Sequence, residues 1–166
     1  MIEVEIPEVE GELERKMPEE VIKANFTNSL KSQLRNAVVL KIGESTAFVN
    51  NQVKKIDPER KNIVAYTKND RTLVPVRFLA ESFDCTVGWD DNTQTVAIFA
   101  GYTSSSMRIG ENIITVTDQG YELDQPAELV DDARVFAPLR AVCEMSLKKT
   151  VIYNNGIIVV YDGTTV

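Results

Sequence analysis

From Ala37 onward the apolar positions fall in short alternating runs bounded by turn residues, the period-two signature of half-buried strands. These runs predict strands over about 38–43, 46–50, 52–56 and 63–66, and again over 86–89 and 95–99. Between them the period lengthens: Val76, Leu79, Ala80 and Phe83 fall at i, i+3, i+4 and i+7, predicting a short helix over 75–83 with one apolar stripe. Upstream, Ile22, Phe26, Leu30 and Leu34 are spaced four apart behind Pro18, Glu19 and Glu20, predicting a helix over 19–34. The chain therefore divides into an acidic leader with a helix, 1–36, and a β-rich domain, 37–166.

The β-rich pattern occurs twice. LKIGE at 40–44 returns as MRIGE at 107–111, and Ile56-Asp57 returns as Leu123-Asp124, both displaced by 67 positions. RTLVPVR at 71–77 returns as RVFAPLR at 134–140, displaced by 63, so the intervening loop is four residues shorter in the second copy. TVGW at 86–89 then matches TVIY at 150–153, and TVAIFAG matches IIVVYDG. Length changes confined to loops, with strands kept, are what a duplicated fold unit tolerates. Asn50-Asn51, Asp118-Gln119-Gly120 and Asn154-Asn155-Gly156 are expected hairpin turns, since Asn, Asp and Gly accept positive φ. The fold class is α+β, mostly antiparallel sheet, with two βββαββ-like units over about 38–101 and 106–163.

In the repeated arginine frame, Pro75 and Pro138 are placed to start a helix, because the ring sets φ near the helical value and the first turn leaves N–H groups free. Arg77 precedes Glu81, and Arg140 precedes Glu144, by four residues, so each helix carries an exposed ion pair contributing about 0.3–0.5 kcal/mol. Arg71 and Arg134 open the short strand before each helix, beside Asp70 and Asp132. Two readings apply to them: guanidinium forks that recognise a carboxylate or phosphate, or ties from the loop to backbone carbonyls and carboxylates. Recurrence within a duplicated unit favours the second.

Composition removes several functions. The 166 residues hold no histidine, which takes away the usual general base and the commonest metal ligand together. Cys85 and Cys143 are too few for a thiolate-rich zinc site and read as small interior residues, with a disulfide as the alternative. No metal site or cofactor is expected. With 25 acidic against 18 basic residues and no basic run interleaved with aromatics, nucleic acid is not an expected partner, and no apolar run reaches the ~20 residues of a membrane helix. Trp89, Tyr153 and Tyr102 are candidate platforms for a sugar ring. Asp90, Asp91 and Asn92 lack the alternating ligands, central glycine and distal glutamate of a calcium loop and read as a solvated turn. Paired carboxylates acting in glycoside hydrolysis form the remote alternative.

IGESTAFVNNQVKKID followed by RTLVPVRFLAESFDCTVGWDDNTQTVAI resembles the repeat of the copper amine oxidase N-terminal, or stalk, domain family. The second copy is a more distant match, with Ile152-Tyr153-Asn154 where the pattern has an aromatic followed by Asp. The resemblance implies a non-catalytic domain of a larger bacterial envelope protein, exported and found outside the cell or at its surface, acting as a spacer. It implies partners among cell-envelope polymers or other domains of the parent protein. The rival expectation is a glycan- or cell-wall-binding module using the exposed aromatics. Copper in such oxidases belongs to a separate catalytic domain with histidine ligands.

Overall fold

The computed structural model describes residues 36–163. The leader and the helix expected over 19–34 lie outside the described residues. Fourteen strands, β1 Val38–Lys41, β2 Thr46–Val49, β3 Gln52–Lys55, β4 Tyr66–Lys68, β5 Arg71–Pro75, β6 Thr86–Asp90, β7 Thr95–Ala100, β8 Thr103–Arg108, β9 Ile113–Val116, β10 Gln119–Glu122, β11 Glu128–Val130, β12 Arg134–Pro138, β13 Thr150–Asn154 and β14 Ile157–Tyr161, make up about half of the described residues. A helix α1, Val76–Ser82, follows β5, and a π-helix, Ala141–Ser146, follows β12. All strand pairs are antiparallel. The class expected from the pattern, mostly antiparallel sheet with few helices, is the class observed.

The strands form three sheets, and two of them join segments far apart in the chain. A terminal sheet runs β13-β14-β1-β2-β3, a middle sheet β10-β9-β8-β7-β6, and a bridging sheet β11-β12-β5-β4. The last hairpin, β13-β14, thus pairs with the first strand, and β6-β7 pairs with β8. In the bridging sheet Phe136 faces Pro75, Ala137 faces Val74 and Pro138 faces Leu73. Under the 63-residue displacement these partners exchange with one another, so the register is symmetric about Val74 and Ala137.

One apolar cluster joins the three sheets and both helices. Leu40 and Ile158 come from the terminal sheet, Ile98 and Met107 from the middle one, and Leu73 and Phe136 from the bridging one, all buried. Val76, Leu79 and Ala80 bring in the stripe of α1. In the repeated Ile-Gly-Glu, Gly43 (φ 85) and Gly110 (φ 82) turn the chain in the left-handed region while their N–H groups donate to the Ala65 and Ala127 carbonyls, each at 3.0 Å.

Several expectations need correction. Five strands precede each helix rather than three or four, and the strand placed over 63–66 begins at Tyr66. Asp57 accepts the Glu59 and Arg60 N–H groups at 2.9 and 3.2 Å, winding that segment into a turn and delaying the strand, while Ile63 is buried without belonging to one. The second-copy hairpin turns at Thr117-Asp118 (φ 46 and 68), not over 118–120; Gly120 is paired with Thr115 inside β10. Asn50-Asn51 (φ 52 and 65) and Asn155-Gly156 (φ 50 and 81) turn as their residue types predict. Pro75 does not sit in the first helical turn: it is paired in the sheet with φ −71 and ψ 116, and helix begins at Val76. Pro138 likewise ends β12.

The second helix is π rather than α for a reason visible in the spacing. Arg77 and Arg140 are 63 positions apart, but Thr86 and Thr150 are 64 apart, so the second copy carries one more residue between arginine and strand. Wide-turn bonding absorbs it: the Leu147 N–H donates to the Val142 carbonyl at 2.9 Å, five residues back. Glu81 and Glu144 are 63 apart but Ser82 and Ser146 are 64 apart, with hydroxyls donating to the Phe78 carbonyl four residues back and the Ala141 carbonyl five back, which makes Met145 the extra residue. Deleting Met145 should therefore leave a folded protein whose stability changes by about 1 kcal/mol. Thermal denaturation followed by circular dichroism checks this. Deleting Val151 inside β13, which shifts every later side chain to the opposite face, should abolish the transition.

Candidate functional site

The arginines that open β5 and β12 reach across the two copies. Arg71 Nη2 lies 2.7 Å from Asp124 Oδ2, and its Nη1 donates to the Asp70 carbonyl at 3.2 Å. Arg134 Nε donates to Asp57 Oδ2 at 2.5 Å, its Nη2 to Glu59 at 3.1 Å and its Nη1 to the Ala133 carbonyl at 3.4 Å. Each arginine thus takes the aspartate of the Ile-Asp or Leu-Asp pair that lies upstream of the other arginine frame. The neighbouring acids Asp70 and Asp132 supply no carboxylate contact to them among the described bonds. The signal for this pairing was the joint recurrence of the arginines and of Asp57 and Asp124, which sequence spacing presented as separate facts.

The two clamps differ in strength, and one residue explains much of it. The Asp57 side chain is only 8% exposed, whereas that of Asp124 is 76% exposed. Asp57 is held by two N–H groups as well as by Arg134; at the position matching Glu59 the second copy has Pro126, which has no N–H to offer. The Arg134 hydrogen bond, together with the Glu59 and Arg60 N–H groups and the guanidinium charge, outweighs partial burial and lowers the Asp57 pKa. Arg71 and Arg134 have their own pKa values raised by the same partners.

A third polar link lies on the bridging sheet. Glu128 on β11 accepts the Tyr66 hydroxyl and the Lys68 ammonium, the latter at 2.7 Å, both from β4. Burial pushes Glu128 upward, but the Lys68 and Tyr66 bonds together leave its carboxyl below the usual value. The Tyr66 hydroxyl is pushed well above its ordinary range, first by burial and then by Glu128. On the helices, Arg77 and Glu81 lie 3.7 Å apart and Arg140 and Glu144 2.7 Å apart, all exposed, at the i, i+4 spacing expected.

The aromatic candidates are not brought together into one platform. Trp89, 36% exposed on β6, borders a groove of about 960 Å³ lined also by Lys54 and Lys55 of β3, Phe78 and Glu81 of α1, and Arg134. Tyr153 on β13, Tyr102 in the β7–β8 turn and Arg71 are not among its lining residues. Trp89 Nε1 reaches Asp91 Oδ1 at 3.4 Å, a long contact. Lys54, Lys55 and Phe78 were not singled out from sequence, because nothing local marks a strand edge and a helix flank as neighbours. The groove carboxylates Asp57 and Glu59 are held by Arg134, and Glu81 by Arg77.

Both cysteines are free; Cys143 is buried and Cys85 half-buried, and burial is the first cause raising both thiols. Among the described residues no group of three or more Cys, Asp and Glu side chains could hold a metal ion, and the chain has no histidine. These residues do not fit a copper centre. No helix among the described residues is long and apolar enough to cross a membrane.

What fold and site together define is a β-rich accessory module whose repeated charged motif is engaged within the molecule. The chain belongs to the copper amine oxidase N-terminal domain family, whose model matches residues 56–161, from the first Ile-Asp pair to the end of β14. That family is a non-catalytic, stalk-type domain. No curated protein matches the chain.

Proposed function

We propose that the chain is an exported, cell-surface spacer and interaction domain of a larger envelope protein, built by duplication of one strand-rich unit. The observation that carries this reading is the crossed clamp: Arg71 and Arg134, which open the repeated frame, are occupied by Asp124 and by Asp57 with Glu59. A guanidinium already paired with a carboxylate offers little to an incoming anion. The duplication is supported by the two runs of strands and helix in the same order and by the symmetric register at Val74 and Ala137. Its partners are envelope polymers or neighbouring domains of the parent protein.

A second reading, a glycan- or cell-wall-binding module, is favoured by the groove that Trp89 and Phe78 both line. Carbohydrate commonly stacks on such a ring. Incubation with purified peptidoglycan and with teichoic-acid-bearing walls at low salt separates the two. The spacer reading expects the chain in the supernatant. Retention that disappears in Trp89→Ala would replace it with the glycan-binding reading.

A further inference from the structure

Two sheets end at one groove. The terminal sheet stops at β3 and the middle sheet at β6, and the groove of about 960 Å³ is lined by Lys54 and Lys55 from the first and by Val87 and Trp89 from the second. Ile63 and Val96, both core residues, line it too, so it opens directly off the core. Ala47 and Val49 of β2 are buried, yet their partners on β3, Lys54 and Gln52, share that face of the sheet and are exposed. The filled layer thus ends at β2, and β3 extends past it.

The same strand leaves main-chain groups unpaired. The Ile56 N–H donates to the Ser45 carbonyl at 2.9 Å, one position beyond the ladder in which Thr46 faces Lys55. Main-chain bonding alternates along an antiparallel pair, so Lys54 and Gln52 also turn their N–H and C=O groups toward β2, while Val53 and Lys55 turn theirs away. No strand lies on that side. An open edge therefore borders a groove that holds two aromatic side chains, Phe78 and Trp89.

Charge decides what kind of strand that edge accepts. Lys54 and Lys55 make no ion pair among the described residues, whereas the groove carboxylates Asp57 and Glu59 are held by Arg134 and Glu81 by Arg77. Asp91 and Asp132 also line the groove, but in turns rather than on β3. Lysines on an edge repel a like strand, which disfavours β3 of a second copy, and attract an acidic one. We infer that the groove takes an extended acidic peptide segment of a protein partner, added to β3 as a further strand. Two adjacent carboxylates of that segment lie beside Lys54 and Lys55, one on each face of the sheet, and a neighbouring apolar side chain packs against Trp89 and Phe78. The inference rests on the reading of the chain as an interaction domain and adds the surface and the chemistry of its partner.

The chain's one tryptophan lines the groove, so its fluorescence follows binding directly. Titration of the full chain with the acetylated, amidated hexapeptide Thr-Val-Glu-Glu-Val-Thr is expected to give a saturable change with a Kd between about 10 µM and about 1 mM. The Lys-Lys counterpart is expected to bind at least about tenfold more weakly at low salt, and Lys54→Glu with Lys55→Glu to reverse that preference. N-methylation of the hexapeptide at alternate residues is expected to abolish binding in one of the two alternating sets and spare it in the other, because only one set faces β3. That measurement uses the parent chain, so it decides the matter whether or not the charge-reversed variant folds. No saturable change up to about 2 mM, equal affinity for the two peptides, or undiminished binding by both N-methylated sets would overturn the inference. A change produced by soluble peptidoglycan fragments and not by the hexapeptide would assign the groove to glycan instead. Failure of the peptide leaves the spacer reading to be judged separately by the wall incubation.

Discussion

Phe136→Ala should cost about 3–5 kcal/mol and lower the melting temperature by more than about 10 °C. The ring is 1% exposed, lies on β12 beside the centre of the bridging sheet, and packs against Tyr66 with centroids 5.1 Å apart. Truncation opens a cavity where all three sheets meet, and the surrounding strands, tied by their register, have little freedom to collapse into it. The residue matching Phe136 in the first copy is Leu73, also fully buried, so Phe136→Leu should be far milder, at about 1 kcal/mol. Chemical denaturation of the three proteins checks both values. A Phe136→Ala protein within about 1 kcal/mol of the parent would show that the core is not centred there.

Arg134→Ala should destabilise the domain by about 1–2 kcal/mol, after discounting for the third of its side chain that water reaches. Arg71→Ala should lower the melting temperature much less, because Asp124 is open to solvent and loses little when unpaired. The difference has a pH signature. The folded pKa of Asp57 is depressed, so its contribution is fully present above the unfolded value near 3.8 and is lost as pH falls through the folded value. Between neutral pH and about pH 5 the Arg134→Ala deficit should be constant, and below pH 4 the parent should lose stability more steeply than the variant. Melting temperatures measured across that window test it; parallel acid limbs would mean that Asp57 does not depend on Arg134.

The same clamp shows how far the sequence could be read. Arg71 and Arg134 were read as ties from their loops to backbone carbonyls and carboxylates; in the structure they donate to the Asp70 and Ala133 carbonyls one residue away. The carboxylate partners lie 53 and 77 residues distant, and no local pattern names them. Of the candidate platforms Trp89, Tyr153 and Tyr102, all exposed, only Trp89 lines the groove. The π-helix was implicit in a one-residue change of spacing, from 63 to 64, yet a count of residues does not say whether a loop or a helix accommodates the excess.

Sequence alone determined most of the strands, a helix after each arginine frame, the Asn-Asn and Asn-Gly turns and the family, because each depends on side-chain periodicity or backbone preference within a few residues. Only the tertiary structure decided which strands meet. The pairing of β1 with β14, more than a hundred residues apart, of β5 with β12, and of Arg134 with Asp57, 77 residues apart, follows from closing the chain on itself. Antiparallel partners share no local code, since any strand with one apolar face can pair with several others. The choice among them is made collectively, by which arrangement buries Leu40, Leu73, Ile98, Phe136 and Ile158 in one core.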